Sequence, residues 1–432
     1  MSDAFEEQWL SELPTAWTEK RADFLCDPYR ITVDPADFGD HLVAHYSIPQ
    51  VQETGGPVLE PASDIDSSKL LITVPTLLVS KLNPRKRTIC IAEPHGEHTT
   101  LASGEFVAIN SNKIDQRYAL YVWSSEKVTE RLSAIVQSAT RSHQRVNPSD
   151  ILKLPWRWPS LETQRRIARF LDEKTARIDG LIEKKRALLE RLAERRQAAI
   201  TRAVTKGLNP SAPLKPSGIA WLGDVPAHWE VLPLKWVKTF LTSGSRGWGE
   251  FYADEGDPFL RMTNVTKEGV ELDLRDLRHV DVRDVNEGKR TAVREGDILI
   301  TITAELGSVA IVRTPLVGAY INQHLALLRL DERRASPEYI VNLLSTDAAT
   351  VPLALSGQGG TKQGLGFDEV GDVTLVLPPL PEQAAIAELA GTLWREYFEQ
   401  SRLVETSITR LTEYRAALIT GAVTGQFDLG AP

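Results

Sequence analysis

Apolar residues at helical spacing mark two long stretches of this 432-residue chain. Ile386, Leu389, Leu393, Tyr397, Val404, Ile408, Leu411, Leu418 and Ala422 step by three, four or seven, which lays one apolar stripe along a helix. Ile167, Leu171, Ile178, Ile182, Leu189, Leu192, Ala199 and Ala203 do the same. Shifted by about 219 positions, Ile167, Ile178, Leu189, Leu192 and Ala203 fall on Ile386, Tyr397, Ile408, Leu411 and Ala422. The pattern predicts two long helices that pack as a pseudo-symmetric pair. A helix from Ser160 to Lys206 would be about 70 Å long, with Gly180 as a candidate bend. Each helix follows a proline-rich breaker, LPWRWPSLETQ (154–164) and LPPLPEQ (377–383), and glutamate near each start suits the helix dipole.

Ahead of each helix the periodicity turns mixed. In the second half, GDILITIT (296–303), SVAIVR (308–313) and LALLRL (325–330) read as strands, and SPEYIVNLLST (336–346) as a helix. In the first half, LLITVPTLLV (70–79) and TICIAE (88–93) read as strands and residues 117–138 as a helical stretch. Residues 51–68 read as an exposed loop.

The words repeat as well as the periods. LETQRRIARFL (161–171) returns as LPEQAAIAELA (380–390), and RQAAITRAVT (196–205) as RAALITGAVT (415–424). WLSELPTAW (9–17) matches WLGDVPAHW (221–229) in both tryptophans, the leucine and the proline. The expected fold is therefore α+β: two mixed bodies in tandem pseudo-repeat, separated by two long helices. Boundaries fall at 1–158, 159–207, 208–378 and 379–432, with a Gly/Pro/Ser-rich linker opening the second half. A chain that duplicates its frame but not its bodies is built to read two different things at a fixed separation.

Charge sharpens this picture. The net charge is −8, but residues 1–68 hold 3 Lys/Arg against 14 Asp/Glu, while residues 69–158 and 159–206 each hold 13 against 7. Local potential governs phosphate binding more than the total does. The acidic total counts against a protein that grips nucleic acid tightly on its own, and fits better a subunit that would share such a contact with others. Two cysteines, Cys26 and Cys90, make no disulfide framework and no zinc pattern, and no run is long enough to span a bilayer. A reduced cytoplasmic protein is the expectation.

Candidate nucleic-acid contacts lie in loops of both bodies. TSGSRGWG supplies Ser243, Ser245, Arg246 and Trp248; RMTNVT supplies Arg261, Thr263 and Asn264; INQH supplies Asn322, Gln323 and His324. SGQGGTKQG supplies Gly359, Thr361, Lys362 and Gln363. Arg, Lys, Asn and Gln are the side chains that bond purine edges bidentately. In the first body KLNPRKR supplies Lys81, Asn83, Arg85, Lys86 and Arg87, EPHGEHTT supplies His98 and Thr99, and TRSHQR supplies Arg141, His143 and Arg145. The run GQGGTK lacks P-loop spacing, and His95/His98 without a third ligand makes no metal site. No methyltransferase or nuclease motif is evident, so no catalytic residue is assigned. A divergent methyltransferase or nuclease, and a scaffold of two β-rich modules on a coiled coil that binds no DNA, stay open on the residues alone.

WLGDVPAHWEVLPLKWV (221–237), GDILIT (296–301), AYINQHLALLRL (319–330) and LPPLPEQAAI (377–386) resemble the DNA-specificity subunit of type I restriction–modification systems. The likeness spans the chain but is weakest over residues 18–150, where GDILIT and INQH have no evident counterpart. It implies two target-recognition domains, each followed by a long helix, the helices antiparallel and acting as a ruler. Each domain would read half of a bipartite target in double-stranded DNA. Two modification subunits would bring adenine methylation and S-adenosylmethionine, with motor–nuclease restriction subunits completing the complex. This chain would hold no cofactor. On the same footing, the repeated segments, through Arg196, Ile200, Thr201 and Val204 and through Arg415, Ile419, Thr420 and Val423, are candidate docking surface for the two modification subunits.

Overall fold

The computed structural model describes residues 3–28, 31–136, 144–219, 222–282, 289–347, 349 and 364–427. The chain divides into two compact units, Met1–Lys185 with Thr406–Pro432, and Arg186–Glu405. Each unit therefore combines one body with a portion of each long helix, Leu161–Lys206 and Leu380–Val423.

The two units repeat one topology. In the first, strand Thr18–Arg21 pairs antiparallel with Pro155–Trp158, in the register Thr18↔Trp158. A four-stranded sheet follows in the order Asp27–Pro28, Phe106–Asn110, Thr76–Ser80, Ile89–Ala92. In the second, Glu230–Pro233 pairs with Thr374–Leu377, and the sheet runs Lys238–Ser243, Leu325–Leu330, Ile298–Thr301, Val309–Ile311. Each unit also has an outer sheet containing one parallel pair, Leu42–Tyr46 with Thr99–Ala102 and Asp257–Leu260 with Tyr320–Ile321. The paired inner strands are apolar on both faces, as strands covered on both sides must be. Leu77 and Leu78, like Ile298, Leu299 and Ile300, are fully buried.

The repeated words turn out to be joints of this frame. Gln164 is buried; its Oε1 accepts from the backbone N–H of Asp115 (2.8 Å) and its Nε2 donates to the Pro159 carbonyl (2.9 Å). Gln383 does the same with Ser336 N–H and the Pro378 carbonyl, both at 2.8 Å. Asp115 and Ser336 are the N-caps of helices Gln116–Ser124 and Pro337–Leu344. One glutamine thus locks the start of a long helix to the cap of its neighbour. Tyr118 in turn donates to the carbonyl of Val423 (3.3 Å), and Tyr339 to that of Val204 (3.1 Å). Both phenols are buried, and both meet carbonyls that a helix end leaves without an intrahelical donor. The opening signature closes the same ends. Gly207 and Gly425 take left-handed backbone, and a Cβ on them would meet Trp229 at 3.2 Å and Pro14 at 2.4 Å.

These joints correct the docking assignment. Ile200, Val204, Ile419 and Val423 are at most 3% exposed, and Arg196 is 8% exposed. They form the cores of their own units, because the apolar side of each repeated segment is covered by the chain itself. Arg196 lies 3.9 Å from the Trp394 ring centre and 4.2 Å from that of Tyr397, and burial lowers its pKa. Its counterpart Arg415 is half-buried and instead bonds the Asp179 carboxylate (2.8 Å). Thr201 and Thr420 are partly exposed, and Thr420 Oγ1 accepts from Glu126 N–H (3.1 Å).

Three local expectations also change. The stretch 117–138 contains two helices, Gln116–Ser124 and Glu126–Ala134, because Ser125 leaves helical backbone and caps the second. LLITVPTLLV divides into Lys69–Ile72 and Thr76–Ser80 around Pro75. Residues 51–68 carry the end of helix Ile48–Thr54, closed by left-handed Gly55, and strand Val58–Pro61.

That strand holds a titratable contact. His45 is 6% exposed; its Nδ1 lies 2.6 Å from Glu60, while its Nε2 is buried without a partner. Burial holds its pKa below the ordinary imidazole value, more strongly than Glu60 raises it. The unfolded chain therefore takes up the proton first, so this contribution to stability is present above about pH 6.5 and is lost as pH falls. The melting temperature is expected to drop from pH 7 to pH 5, and His45→Gln to flatten that drop. An equal slope in the variant would count against the assignment.

Candidate nucleic-acid interface

Both bodies end their inner sheet in the same hydrogen-bonded ledge. In the first, Lys81 N–H donates to the Glu105 carbonyl and the Lys81 carbonyl accepts from Val146 N–H, both at 2.9 Å. In the second, Ile302 N–H donates to the His324 carbonyl (3.1 Å) and the Ile302 carbonyl accepts from Leu365 N–H (2.9 Å). Lys81, Glu105 and Val146 hold the places of Ile302, His324 and Leu365. The first body does have counterparts of GDILIT and INQH: TLLVS (76–80) and the turn that ends at Glu105. Only the apolar pattern and the backbone bonds are shared, so residue identity hid them.

In the second body three predicted clusters converge on this ledge. A Cβ on Gly244 would lie 2.0 Å from the Ile321 carbonyl oxygen and 2.4 Å from that of Asn322. The loop thus lies backbone against backbone on INQH, and Ser245 bridges Asn322 in parallel. Asn322 N–H donates to the Leu260 carbonyl (3.3 Å), which brings the Arg261 turn alongside. Ser243 is half-buried; Arg246 and Thr263 are exposed. Asn322, Gln323 and His324 are half-buried. The Gln323 amide donates to His324 Nε2 (2.9 Å), which leaves the Nδ1–H for Thr303 Oγ1 (2.8 Å). Arg261 donates to the carboxylate of Asp276 (2.7 Å) and to its carbonyl (2.8 Å), and it holds that carboxyl below the usual range.

Two candidates there are supports rather than contacts. Asn264 is 1% exposed; its Oδ1 accepts from Arg261 N–H (2.9 Å) and its Nδ2 donates to the Asp273 carbonyl (2.7 Å). Its amide is consumed in closing the turn. Trp248 is 4% exposed and packs 4.8 Å from Phe259 and 5.4 Å from Tyr320, between ring centres. It is the core beneath the loop. Gly359, Thr361, Lys362 and Gln363 lie outside the described residues.

In the first body the ledge gathers Lys81, Asn83 and Arg145. Lys81 Nζ donates to the Gly104 carbonyl (2.6 Å), and the Arg145 guanidinium pairs with Glu105. Leu82 bridges Arg145, and Asn83, in left-handed backbone, donates its N–H to the Gln144 carbonyl (2.9 Å). Arg85 and Lys86 are exposed on the turn Pro84–Lys86, and Arg87 pairs with Glu126 at 3.5 Å. His98 stacks on His95 at 5.0 Å, and His95 Nδ1 accepts from the backbone N–H of Glu97 and His98. Thr99 opens an outer-sheet strand opposite Val43, so this pair belongs to the other sheet. Arg141 and His143 lie outside the described residues. Sequence reasoning missed Glu105, whose only signal was its place at the head of a central strand. Among the described residues no group of three His, Cys, Asp or Glu could hold a metal ion, and no helix is long and apolar enough to cross a membrane.

Two copies of one α+β frame end in the same ledge, with Lys81, Asn83 and Arg145 on the first and Arg261, Asn322, Gln323 and His324 at the second, side chains suited to a tandem nucleic-acid reader. The profile of the type I restriction modification DNA specificity domain matches residues 229–396. The chain is 24% identical over 340 residues to a putative type I restriction enzyme MjaX specificity subunit of Methanocaldococcus jannaschii, covering 76% of this chain and 74% of that one. It is 23% identical over 156 residues to the type I restriction enzyme EcoBI specificity subunit of Escherichia coli, covering 36% of this chain and 33% of that protein. Among solved structures, a chain from a study of complex assembly and conformational transition in the type I R-M system is similar with a TM-score of 0.73 and 19% identity, over 96% of this chain and 99% of its own. The HsdS subunit from Thermoanaerobacter tengcongensis is similar with a TM-score of 0.50 and 18% identity, over 96% and 98%. Residues 229–396 thus carry the type I restriction modification DNA specificity domain, and the relatives matched are specificity subunits of type I restriction enzymes.

Proposed function

We propose that this chain is the non-catalytic, sequence-reading subunit of a cytoplasmic type I restriction–modification complex. Each body reads one half of a bipartite target in double-stranded DNA, and the pair directs adenine methylation and restriction by partner subunits. The methyl donor S-adenosylmethionine belongs to the modification subunits, two of which share this frame, and motor–nuclease subunits complete the restricting assembly. The observation that carries the reading is the ledge: the same backbone bonds at Lys81/Glu105 and at Ile302/His324, with different side chains on them. A duplicated frame with divergent loops suits two readouts, in which phosphate contacts set register and a few side chains specify bases. The acidic total fits a reader whose DNA grip is completed by partners.

The test is selection from a random duplex pool by the chain assembled with its modification subunits. Two fixed half-sites at one constant spacing are expected. A single contiguous site, or no enrichment, would contradict the reading.

A further inference from the structure

We propose that Glu105 is the positioning residue for base readout by the first body, holding the Arg145 guanidinium so that it addresses a guanine edge. The inference rests on the function proposed above.

Glu105 stands where His324 stands in the second body, fixed by the same backbone bond to the neighbouring strand end. The frame is constant there and the chemistry is not, as required of a position that tells one half-site from another. Three charged groups meet on the first ledge. Lys81 Nζ is committed to the Gly104 carbonyl and lies 4.0 Å from the Glu105 carboxylate; its side chain is only 16% exposed. Arg145 pairs with the same carboxylate, yet its side chain remains 54% exposed. Of the two cations, Arg145 is the one presented outward.

A lone carboxylate at a DNA-facing site would repel phosphate. Flanked by Lys81 and Arg145, Glu105 instead acts as a brace. A guanidinium held at one nitrogen by a carboxylate oxygen has less rotamer freedom to lose, and its planar fork matches guanine O6 and N7. The backbone keeps the brace in place: Leu82 bridges Arg145 and Val146 bonds Lys81, so both partners sit on one hydrogen-bonded ladder. Among the described residues, the second body shows no such pair at this place. Its equivalent of Arg145 is Gly364, and His324 turns to Thr303.

The test repeats the duplex selection with the assembled complex carrying Glu105→Gln, Glu105→Asp or Arg145→Ala, with the thermal transition measured alongside. Glu105→Gln is expected to relax one base pair of one half-site, with discrimination there falling about tenfold or more. The other half-site stays unchanged. Binding to duplex lacking the motif rises, because a negative charge has left the ledge. Arg145→Ala relaxes the same base pair, and Glu105→Asp retains part of the preference. If Glu105→Gln selects the parent motif, relaxes a different position from Arg145→Ala, or weakens specific and non-specific binding together, the inference is wrong. Should Glu105→Gln fail to fold, Arg145→Ala at the more exposed side chain decides: an unchanged motif overturns the proposal. A parent complex that selects no bipartite motif overturns the functional reading itself, which separates the two failures.

Discussion

Alanine at position 339 is expected to destabilise the second unit by about 3–5 kcal/mol, the range for deleting a large buried aromatic side chain. Tyr339 is fully buried in the core that joins helix Pro337–Leu344 to both long helices and the inner sheet. Its hydroxyl lies 3.1 Å from the Val204 carbonyl and 2.7 Å from that of Val376. Truncation would leave a cavity and remove the single hydroxyl proton that the two carbonyls share. Tyr339→Phe removes only the hydroxyl and should cost about 1–2 kcal/mol. Denaturant unfolding of the full chain, followed by tryptophan fluorescence, measures both. Tyr118→Ala makes the mirror-image change in the first unit, where the phenol also accepts from Trp156 Nε1 (3.3 Å). A cost below about 1 kcal/mol at either alanine would mean that the helix ends are not held by these phenols.

The second large effect is functional. Gly244→Ala places a methyl carbon 2.0 Å from the Ile321 oxygen and 2.4 Å from the Asn322 oxygen, both backbone atoms that cannot swing aside. Either the loop lifts off INQH or the strand end moves, and the Ser245–Asn322 bridge breaks in both cases. Arg246, Asn322 and His324 then lose their common support. Discrimination for the half-site read by the second body should fall more than a hundredfold, while recognition of the other half-site persists. Competition between duplexes mutated in one half or the other reads this out. Equal loss at both halves, or none, would contradict the placement of the second reader on this ledge.

Legibility in the sequence followed the physics of each feature. The long helices were readable because an apolar stripe with a 3.6-residue period is long-range and redundant; Leu161–Lys206 and Leu380–Val423 appear where it lay. The repeated Gln164/Gln383, Trp17/Trp229 and valine-containing segments were visible as words, but their job was not. A segment seen twice looks like a surface used twice, whereas burial shows Ile200, Val204, Ile419 and Val423 at most 3% exposed. Helical periodicity marks a covered face without naming what covers it. In the bodies, loop chemistry drew attention to the ledge through Asn322, His324 and Arg261. The same reasoning swept in Asn264 and Trp248, because a turn-closing amide and a core indole carry the same letters as base contacts. Glu105 went unseen because its equivalence to His324 exists in backbone hydrogen bonds, not in side-chain type.

The most direct test of the central claim is to map adenine methylation across the genome of the source cells with and without this gene. The account predicts that one bipartite motif, two fixed half-sites around a constant spacer, is methylated in the parent and unmethylated after deletion, and returns with the intact gene. An unchanged set of methylated motifs, in cells where the chain and its modification subunits are present together, would contradict it.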